Sequence, residues 1–188
     1  MRIVSGIYKG RKLQAPSGPV VRPTSDRARE SIFNVIAHGL ANWSGELDGA
    51  SVVDVFCGTG AMGLEALSRG AAHATLIDSS RPALAVAKKN IAPAWRDTML
   101  LKMDATHLAP PPLAAQAPCG VAFVDAPYAK GLTLPSLIGL KNKGWLAPGG
   151  LAVVEIGAEE ELALPLSFEL LDERAYGAAK VVFLQIRD

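Results

Sequence analysis

The sequence has few of the residues that build metal centres and disulfides. Its 188 residues include two cysteines, Cys57 and Cys119, and three histidines, His38, His73 and His107. Neither set shows the spacing of a ligand group, so we expect no metal site. Because Cys57 lies inside a glycine-rich stretch, we interpret both cysteines as reduced packing residues rather than a disulfide. The histidines are expected at the surface.

Long apolar runs are also missing, although 49% of the residues are hydrophobic. No stretch approaches the roughly 18 apolar residues of a membrane span, and the first residues have no signal-peptide core. We therefore expect a cytoplasmic protein with no membrane partner. The length predicts one well-buried domain with a small appendage. Since no self-association motif is evident, we expect a monomer.

The net charge of +1 is unevenly distributed. Residues 1–30 contain seven Lys or Arg and two Asp or Glu, a balance of +5, which leaves −4 for the remainder. A basic end of this kind is typical of a polyanion contact. A solvated surface with chance clustering is the alternative.

The most informative stretch joins an apolar strand to a glycine-rich turn. Over residues 51–63 the strand carries Asp54, and the pattern Gly58-x-Gly60-x-x-Gly63 follows. We expect Gly58 to adopt a backbone angle closed to other residues, Gly60 to let a ligand lie against the main chain, and Gly63 to let the next helix pack closely. Such a loop fits NAD, FAD and S-adenosylmethionine sites alike.

Carboxylates beside the loop distinguish these cofactors. An NAD site holds a pyrophosphate at the helix N-terminus, where a nearby carboxylate would oppose it. Asp54 would instead face the ammonium of S-adenosylmethionine. Asp78, 20 residues after Gly58, has the spacing of a carboxylate that binds ribose hydroxyls, and Asp104 after the third strand would meet the adenine amine. Each of the three could instead only cap a strand end or loop.

From residue 51 the chain alternates between strand and helix patterns. We predict strands at 51–56, 74–78, 98–102, 121–125 and 151–156, with helices near 61–69, 81–91 and 133–141. This alternation is typical of an α/β, Rossmann-like fold whose mostly parallel sheet is wound on both faces by helices. Two further apolar runs, 168–175 and 180–187, predict a terminal antiparallel hairpin.

A small extension precedes this domain. Residues 1–23 are predicted to form a β-hairpin and a link, and the main domain is expected to span 24–188. Thr24 or Ser25 could cap the first helix of that domain, whose apolar face follows.

A motif after the fourth strand carries the predicted chemistry. The tetrapeptide Asp125-Ala126-Pro127-Tyr128 resembles the Asp-Pro-Pro-Tyr motif of methyltransferases that act on nucleobase amines. Such an amine is a poor nucleophile because its lone pair is delocalised into the ring. The carboxylate of Asp125 and the carbonyl of Ala126 could hold the nitrogen in line with the methyl group, and Tyr128 could stack on the base. A plain turn with Tyr128 as packing is the alternative.

Blocks along nearly the whole chain resemble the RsmD family. They are residues 10–13, 22–34, 54–60, 63–70, 125–128 and 144–146. Members of that family methylate N2 of guanine in small-subunit (16S) ribosomal RNA. The resemblance implies a seven-stranded class I methyltransferase fold, S-adenosylmethionine as cofactor, and ribosomal RNA in a partly assembled small subunit as substrate.

The resemblance also implies roles for single residues. The candidate cofactor contacts are Asp54, Phe56, Gly58, Gly60, Asp78, Asp104 and Ala105. The candidate RNA contacts are Arg11, Lys12, Arg22, Thr24, Arg27 and Arg29. Arg27 could equally pair with Glu30 on the helix. Ala126 stands where the family has proline, so the loop keeps the carbonyl but loses a fixed φ angle. Lys130 and Glu155 could support the site or contact RNA, or be structural.

Three other functions remain as alternatives. An NAD-dependent oxidoreductase would use the same fold, although Asp54 and the tetrapeptide disfavour it. A non-catalytic RNA-binding factor in ribosome assembly would explain Ala126. Methylation of DNA or of a small molecule is disfavoured because the chain has no separate target-recognition domain.

Overall fold

The computed structural model describes residues 1–15, 25–40, 42–91, 95 and 97–187. These residues form four α-helices and seven β-strands. The helices are α1 (Asp26–His38), α2 (Ala61–Ser68), α3 (Arg81–Asn90) and α4 (Thr133–Asn142). The strands are β1 (Ser51–Val55), β2 (His73–Asp78), β3 (Thr98–Lys102), β4 (Cys119–Asp125), β5 (Leu146–Gly157), β6 (Phe168–Tyr176) and β7 (Ala179–Ile186). None of these described helices has the length and apolar character that a membrane-spanning helix requires.

The seven described strands form one sheet in the order β3-β2-β1-β4-β5-β7-β6. Strands β1 to β5 pair in parallel, whereas β7 runs antiparallel to both β5 and β6. The strand order changes direction at β1, with β2 on one side and β4 on the other. The crevice beyond the carboxyl ends of the strands at such a point is where open α/β sheets bind ligands. The predicted Rossmann-like sheet with its terminal antiparallel hairpin is confirmed.

Helices cover both faces of the sheet, so its central strands are buried on both sides. Val52 and Phe123 pack on the face that α1 and α2 cover. Val53 and Val124 pack on the opposite face against Leu137 of α4. The nearly continuous apolar runs of these strands are typical of parallel strands with two covered faces.

The predicted N-terminal hairpin takes a reduced form. It is a turn-rich loop closed by a single antiparallel bridge between Arg2 and Lys12. A longer ladder does not form because two of its amides have another partner. Those of Val4 and Ser5 donate to the carboxylate of Glu65 at 2.7 and 2.9 Å.

Glu65, on the buried face of α2, joins three parts of the chain. Its side chain is fully buried and pairs with Arg69 Nε at 2.8 Å and with Arg29 Nε at 3.5 Å. Arg29 also contacts Asp26 at 2.8 Å and donates to the carbonyl oxygen of Arg2 at 2.6 Å. The network therefore fastens the N-terminal loop and α1 to α2.

The prediction that Arg29 contacts RNA is wrong. Its side chain is 0% exposed, because α1 turns it inward toward the carboxylates, where no phosphate can reach it. Arg27 is exposed on the same helix. The predicted contacts Arg22 and Thr24 lie outside the described residues. Ser25, the other predicted cap, does begin α1 by accepting the amide of residue 28 at 3.1 Å.

Two predictions about burial have opposite outcomes. Cys57 and Cys119 are free and buried, as predicted. His73 is buried rather than at the surface, because it opens β2, a strand covered on both faces. Its Nε2 lies 3.2 Å from the hydroxyl of Thr75.

We predict that Glu65→Ala lowers the free energy of unfolding by about 3–5 kcal/mol, because it removes the buried carboxylate that Arg29 and Arg69 share. Urea denaturation followed by circular dichroism measures the change. Glu30→Ala, at an exposed position of α1, is the matched control and should cost no more than about 0.5 kcal/mol. Equal effects of the two variants would contradict the role assigned to Glu65.

Candidate active site

Three carboxylates meet at the carboxyl ends of neighbouring strands. Asp54 lies near the end of β1, Asp78 ends β2 and Asp125 ends β4. Because β1 lies between β2 and β4, the three side chains occupy one edge of the sheet. Their charges act on one another. Burial raises the pKa of Asp54 and the charge of Asp78 raises it further, and burial and the charge of Asp54 together raise the pKa of Asp125.

The turn between β1 and α2 contains three residues with left-handed backbone angles. Phe56, Gly58 and Gly60 have φ angles of 60°, 53° and 78°. A Cβ atom at Gly58 would have only the carbonyl oxygen of Phe56 within 4 Å, so the main chain is open there. At Gly60 a Cβ atom would lie 2.8 Å from Leu76. A side chain at Gly60 would therefore displace the end of Leu76 and be strained by the φ angle of 78°, while the main chain is more open at Gly58.

Asp54 and Asp78 hold the two ends of this turn. Asp78 Oδ2 accepts the amide of Gly58 at 2.9 Å, and Asp54 Oδ2 accepts the amide of Gly63 at 3.0 Å. A Cβ atom at Gly63 would lie 2.3 Å from Leu76. Helix α2 thus packs as closely against the sheet as the glycine pattern predicts. Both carboxylates do cap local structure, and they do so within the crevice.

The carboxyl group of Asp54 is 2% exposed. Burial raises its pKa to about 7, with a further contribution from the charge of Asp78, while the hydrogen bond from Gly63 opposes the rise. A buried carboxylate of this kind is costly to ionise alone and is stabilised by a nearby cation.

Asp104 has a different environment. It accepts hydrogen bonds from the amide and the hydroxyl of Thr106 at 2.9 and 2.7 Å, and its other oxygen lies 3.3 Å from His107 Nδ1. The Thr106 hydrogen bonds hold the pKa of Asp104 below its usual value. The residue therefore caps the short 3-10 turn Ala105–His107, which is the alternative that the sequence leaves open. Ala105 is buried behind it.

The tetrapeptide forms the other wall of the crevice. Asp125 lies opposite Glu155 in the register of β4 and β5. Burial raises the pKa of Asp125 to about 8, and the charges of Glu155 and Asp54 add to the rise. Ala126 is 3% exposed, whereas the ring of Tyr128 is 42% exposed. Tyr128 is therefore accessible to solvent beside a buried carboxyl group whose pKa is raised.

Two glutamates support the tetrapeptide, and the sequence pointed to only one of them. Glu155 Oε1 accepts the hydroxyl of Tyr128 at 2.6 Å. Glu160 Oε2 accepts the amide of Ala129 at 3.2 Å. Glu160 lies in an acidic run that resembles any solvated surface segment, so the sequence around it does not predict this contact.

Comparison with known proteins assigns the chain to a family. The family described as "Conserved hypothetical protein 95" matches residues 1–185. The chain belongs to this family. Ribosomal RNA small subunit methyltransferase D of Escherichia coli is 37% identical to it, over 94% of this chain and 85% of that protein. The protein of the same name from Haemophilus influenzae is 29% identical, over 94% of this chain and 89% of its own length.

Solved structures agree with this placement. The structure titled "Putative methyltransferase yhhF" from Escherichia coli superposes with a TM-score of 0.80 at 33% identity, covering 100% of this chain and 98% of its own. The ribosomal protein L11 methylase of Lactobacillus delbrueckii, at 16% identity and a TM-score of 0.63, shows the shared fold alone. The predicted family and the predicted methyltransferase fold are confirmed.

We predict that the ligand-free protein loses stability as the pH rises. The pKa values of Asp54 and Asp125 are raised from 3.8 to about 7 and about 8, so the folded state binds protons that the unfolded state has released. This stabilisation is complete below about pH 4 and is lost as the pH rises to about 8, a change on the order of a few kcal/mol. Urea denaturation between pH 5 and pH 8.5 measures it.

Asp125→Asn should flatten this pH dependence, because an amide does not titrate. Glu46→Gln, at an exposed position, is the matched control and should retain the slope of the unmodified protein. If Asp125→Asn kept the full slope as well, the carboxyl group of Asp125 would not contribute to it.

Proposed function

We propose that this protein is an S-adenosylmethionine-dependent methyltransferase that modifies N2 of a guanine in small-subunit (16S) ribosomal RNA. The observation that carries the proposal is the position of the tetrapeptide, whose Asp125 ends β4 next to the glycine turn at the edge where the strand order changes direction. The names of the curated relatives support RNA as the substrate class.

The residues of the crevice fit S-adenosylmethionine. Its ammonium and sulfonium groups are cationic and suit an edge where Asp54, Asp78 and Asp125 interact. The paired phosphates of NAD would meet the same charges unfavourably. We assign Asp54 to the ammonium, Asp78 to the ribose and the main chain at Gly58 to close contact. Phe56, Gly60, Asp104 and Ala105 complete the proposed set. The cofactor, when bound, supplies a methyl group activated by its positive sulfur.

Asp125 and Ala126 would act on the guanine amine. The carboxylate and the backbone carbonyl accept the amine hydrogens and aim the nitrogen lone pair at the methyl carbon. The bound cofactor would supply the methyl group, and ionised Asp125 would stabilise the positive charge that the nitrogen gains on transfer. Its carboxylate can then accept the proton that the methylated nitrogen releases. The ring of Tyr128 would stack on the base, while Pro127 shapes the turn between them.

The basic N-terminal region is the proposed RNA surface. Lys12 and Arg27 are exposed, and Arg11 is partly exposed with its guanidinium 5.6 Å above the ring of Trp95. Residues 1–23 would act as an RNA-contacting extension of the domain 24–188. This surface is near the cofactor site, because Met1 contacts Thr59 of the glycine turn at 3.7 Å. Arg22 and Thr24 belong to the same proposal.

The substrate would be a partly assembled small subunit in the cytoplasm, and the enzyme would act as a monomer. A basic surface beside an open aromatic ring supports a folded polyanion as the target.

We predict methyl transfer from labelled S-adenosylmethionine to small subunits from a strain that lacks this gene, with the label on N2 of one guanine. Asp125→Ala should lower kcat by at least about 100-fold, because it removes the group that positions and stabilises the reacting nitrogen. Glu46→Ala is the control and should retain activity. Cofactor binding, measured by calorimetry, should persist because Asp54 and Asp78 remain.

Two outcomes would contradict this proposal. Binding of cofactor and subunits without any label would favour an assembly factor that retains the fold. Label on another atom or on another class of nucleic acid would leave the enzyme class intact and replace the substrate.

We predict that Lys12→Gln and Arg27→Gln each lower the slope of log affinity against log salt by about 1, because each loses one phosphate contact. Filter binding of ribosomal RNA at several salt concentrations measures this slope. Lys143→Gln, at an exposed position beyond α4, is the matched control. If all three variants kept the slope of the unmodified protein, the RNA surface would lie elsewhere.

A further inference from the structure

Two carboxylates hold the segment that carries the stacking ring. Glu155 reaches it from β5 and accepts the hydroxyl of Tyr128 at 2.6 Å. Glu160 reaches it from the turn after β5 and accepts the amide of Ala129 at 3.2 Å. The tetrapeptide is therefore fastened at its last side chain and at the peptide that follows.

Glu160 is itself fixed to the end of β5. Its Oε2 atom also lies 3.4 Å from the amide of Gly157, and its own amide donates to the carbonyl oxygen of Gly157 at 3.0 Å. Its carboxylate thus bridges the turn and the tetrapeptide loop. Ala129 has a φ angle of 56°, a left-handed angle that a non-glycine residue keeps only when its surroundings hold it.

The hydroxyl of Tyr128 is suited to a lasting contact with Glu155. Burial, and then the hydrogen bond and charge of Glu155, raise the pKa of this hydroxyl above its usual value. It therefore stays protonated and continues to donate over the whole physiological range. With the hydroxyl held at one end by Glu155 and Cβ held at the other by the main chain, the long axis of the exposed ring is fixed in position.

We propose that Glu155 and Glu160 are positioning residues, which set the ring of Tyr128 and the loop at Ala129 before the target base arrives. The proposal rests on the proposed function, in which Tyr128 stacks on the base. It also assigns a compensating role to Glu160, because Ala126 leaves this loop without the φ restraint of the family proline. Binding then loses less conformational freedom, which improves affinity for the base.

Glu155 has a second route of action, because it faces Asp125 across β4 and β5. Removing its charge could change activity through Asp125 alone. A double-mutant cycle separates the two routes. Tyr128→Phe keeps the ring and removes the hydroxyl, whereas Glu155→Ala removes the acceptor and the charge together.

We predict that each single variant lowers kcat/KM for small subunits about 10-fold, mainly through KM, as expected for one lost hydrogen bond. The double variant should lose about the same 10-fold, because each change removes the same contact. Glu155→Gln, whose amide oxygen can still accept, should restore most of the loss. Glu161→Gln, the exposed neighbour of Glu160, is the control and should be unaffected.

Losses that multiply to about 100-fold in the double variant would overturn the positioning role of Glu155. The same conclusion would follow if Glu155→Ala shifted the pH profile of kcat to lower pH equally with and without the Tyr128→Phe change. That shift would show that Glu155 acts through the carboxyl group of Asp125.

Hydrogen–deuterium exchange tests the loop without any reaction. In the ligand-free protein, Glu160→Ala should accelerate exchange in the peptide 126–131 several-fold, whereas Glu161→Ala should not. Unchanged exchange in Glu160→Ala would overturn the role of Glu160. Because this measurement needs neither RNA nor turnover, it still reports on the loop if the proposed function fails.

Discussion

The close approach of helix α2 to strands β1 and β2 is the constraint on which the rest of the structure depends. Gly63 permits the approach, since any side chain there would collide with Leu76. Asp54 then reaches the amide of Gly63 and fixes the start of the helix to the sheet. Two residues after Gly63, Glu65 faces inward and contacts Arg29 and the N-terminal amides. The glycine turn, α1 and the N-terminal loop are thus all placed by one helix.

The carboxyl groups in the crevice beside this helix lower the stability of the ligand-free protein and favour the binding of a cation. Asp54 and Asp125 are buried near each other, and both are harder to ionise than carboxyl groups in water. Such a cluster weakens the folded state above neutral pH, and a cation placed among the carboxylates relieves the repulsion. The ligand-free protein is therefore already organised for a positively charged partner. The fold tolerates the free-energy cost of these buried carboxyl groups because the surrounding parallel strands are packed on both faces.

Much of the fold and part of the site could be predicted from the sequence. Periodicity and turn residues located the strands and helices, since a buried parallel strand has a local apolar signature. The prediction for Arg29 was wrong because a positive charge favours an exposed position, whereas the spacing of this residue places it on the apolar face of α1. It precedes Ile32, Phe33 and Ile36 at the spacing of one helical face, and all four residues are buried. Glu160 could not be predicted, because its contact with Ala129 spans 31 residues and depends on where β5 ends. Asp104 remained ambiguous, since an aspartate after a strand suits a cap and a ligand equally.

The buried network around Glu65 also determines the order in which the chain can fold. The amides of Val4 and Ser5 bind a carboxylate 61 and 60 residues further along the chain. During synthesis from the N-terminus, the first residues have no docking partner until α2 has emerged and packed on β1. Their bridge and their buried side chains are therefore acquired late, and the slow closure of this long loop comes after the first strand–helix unit is made.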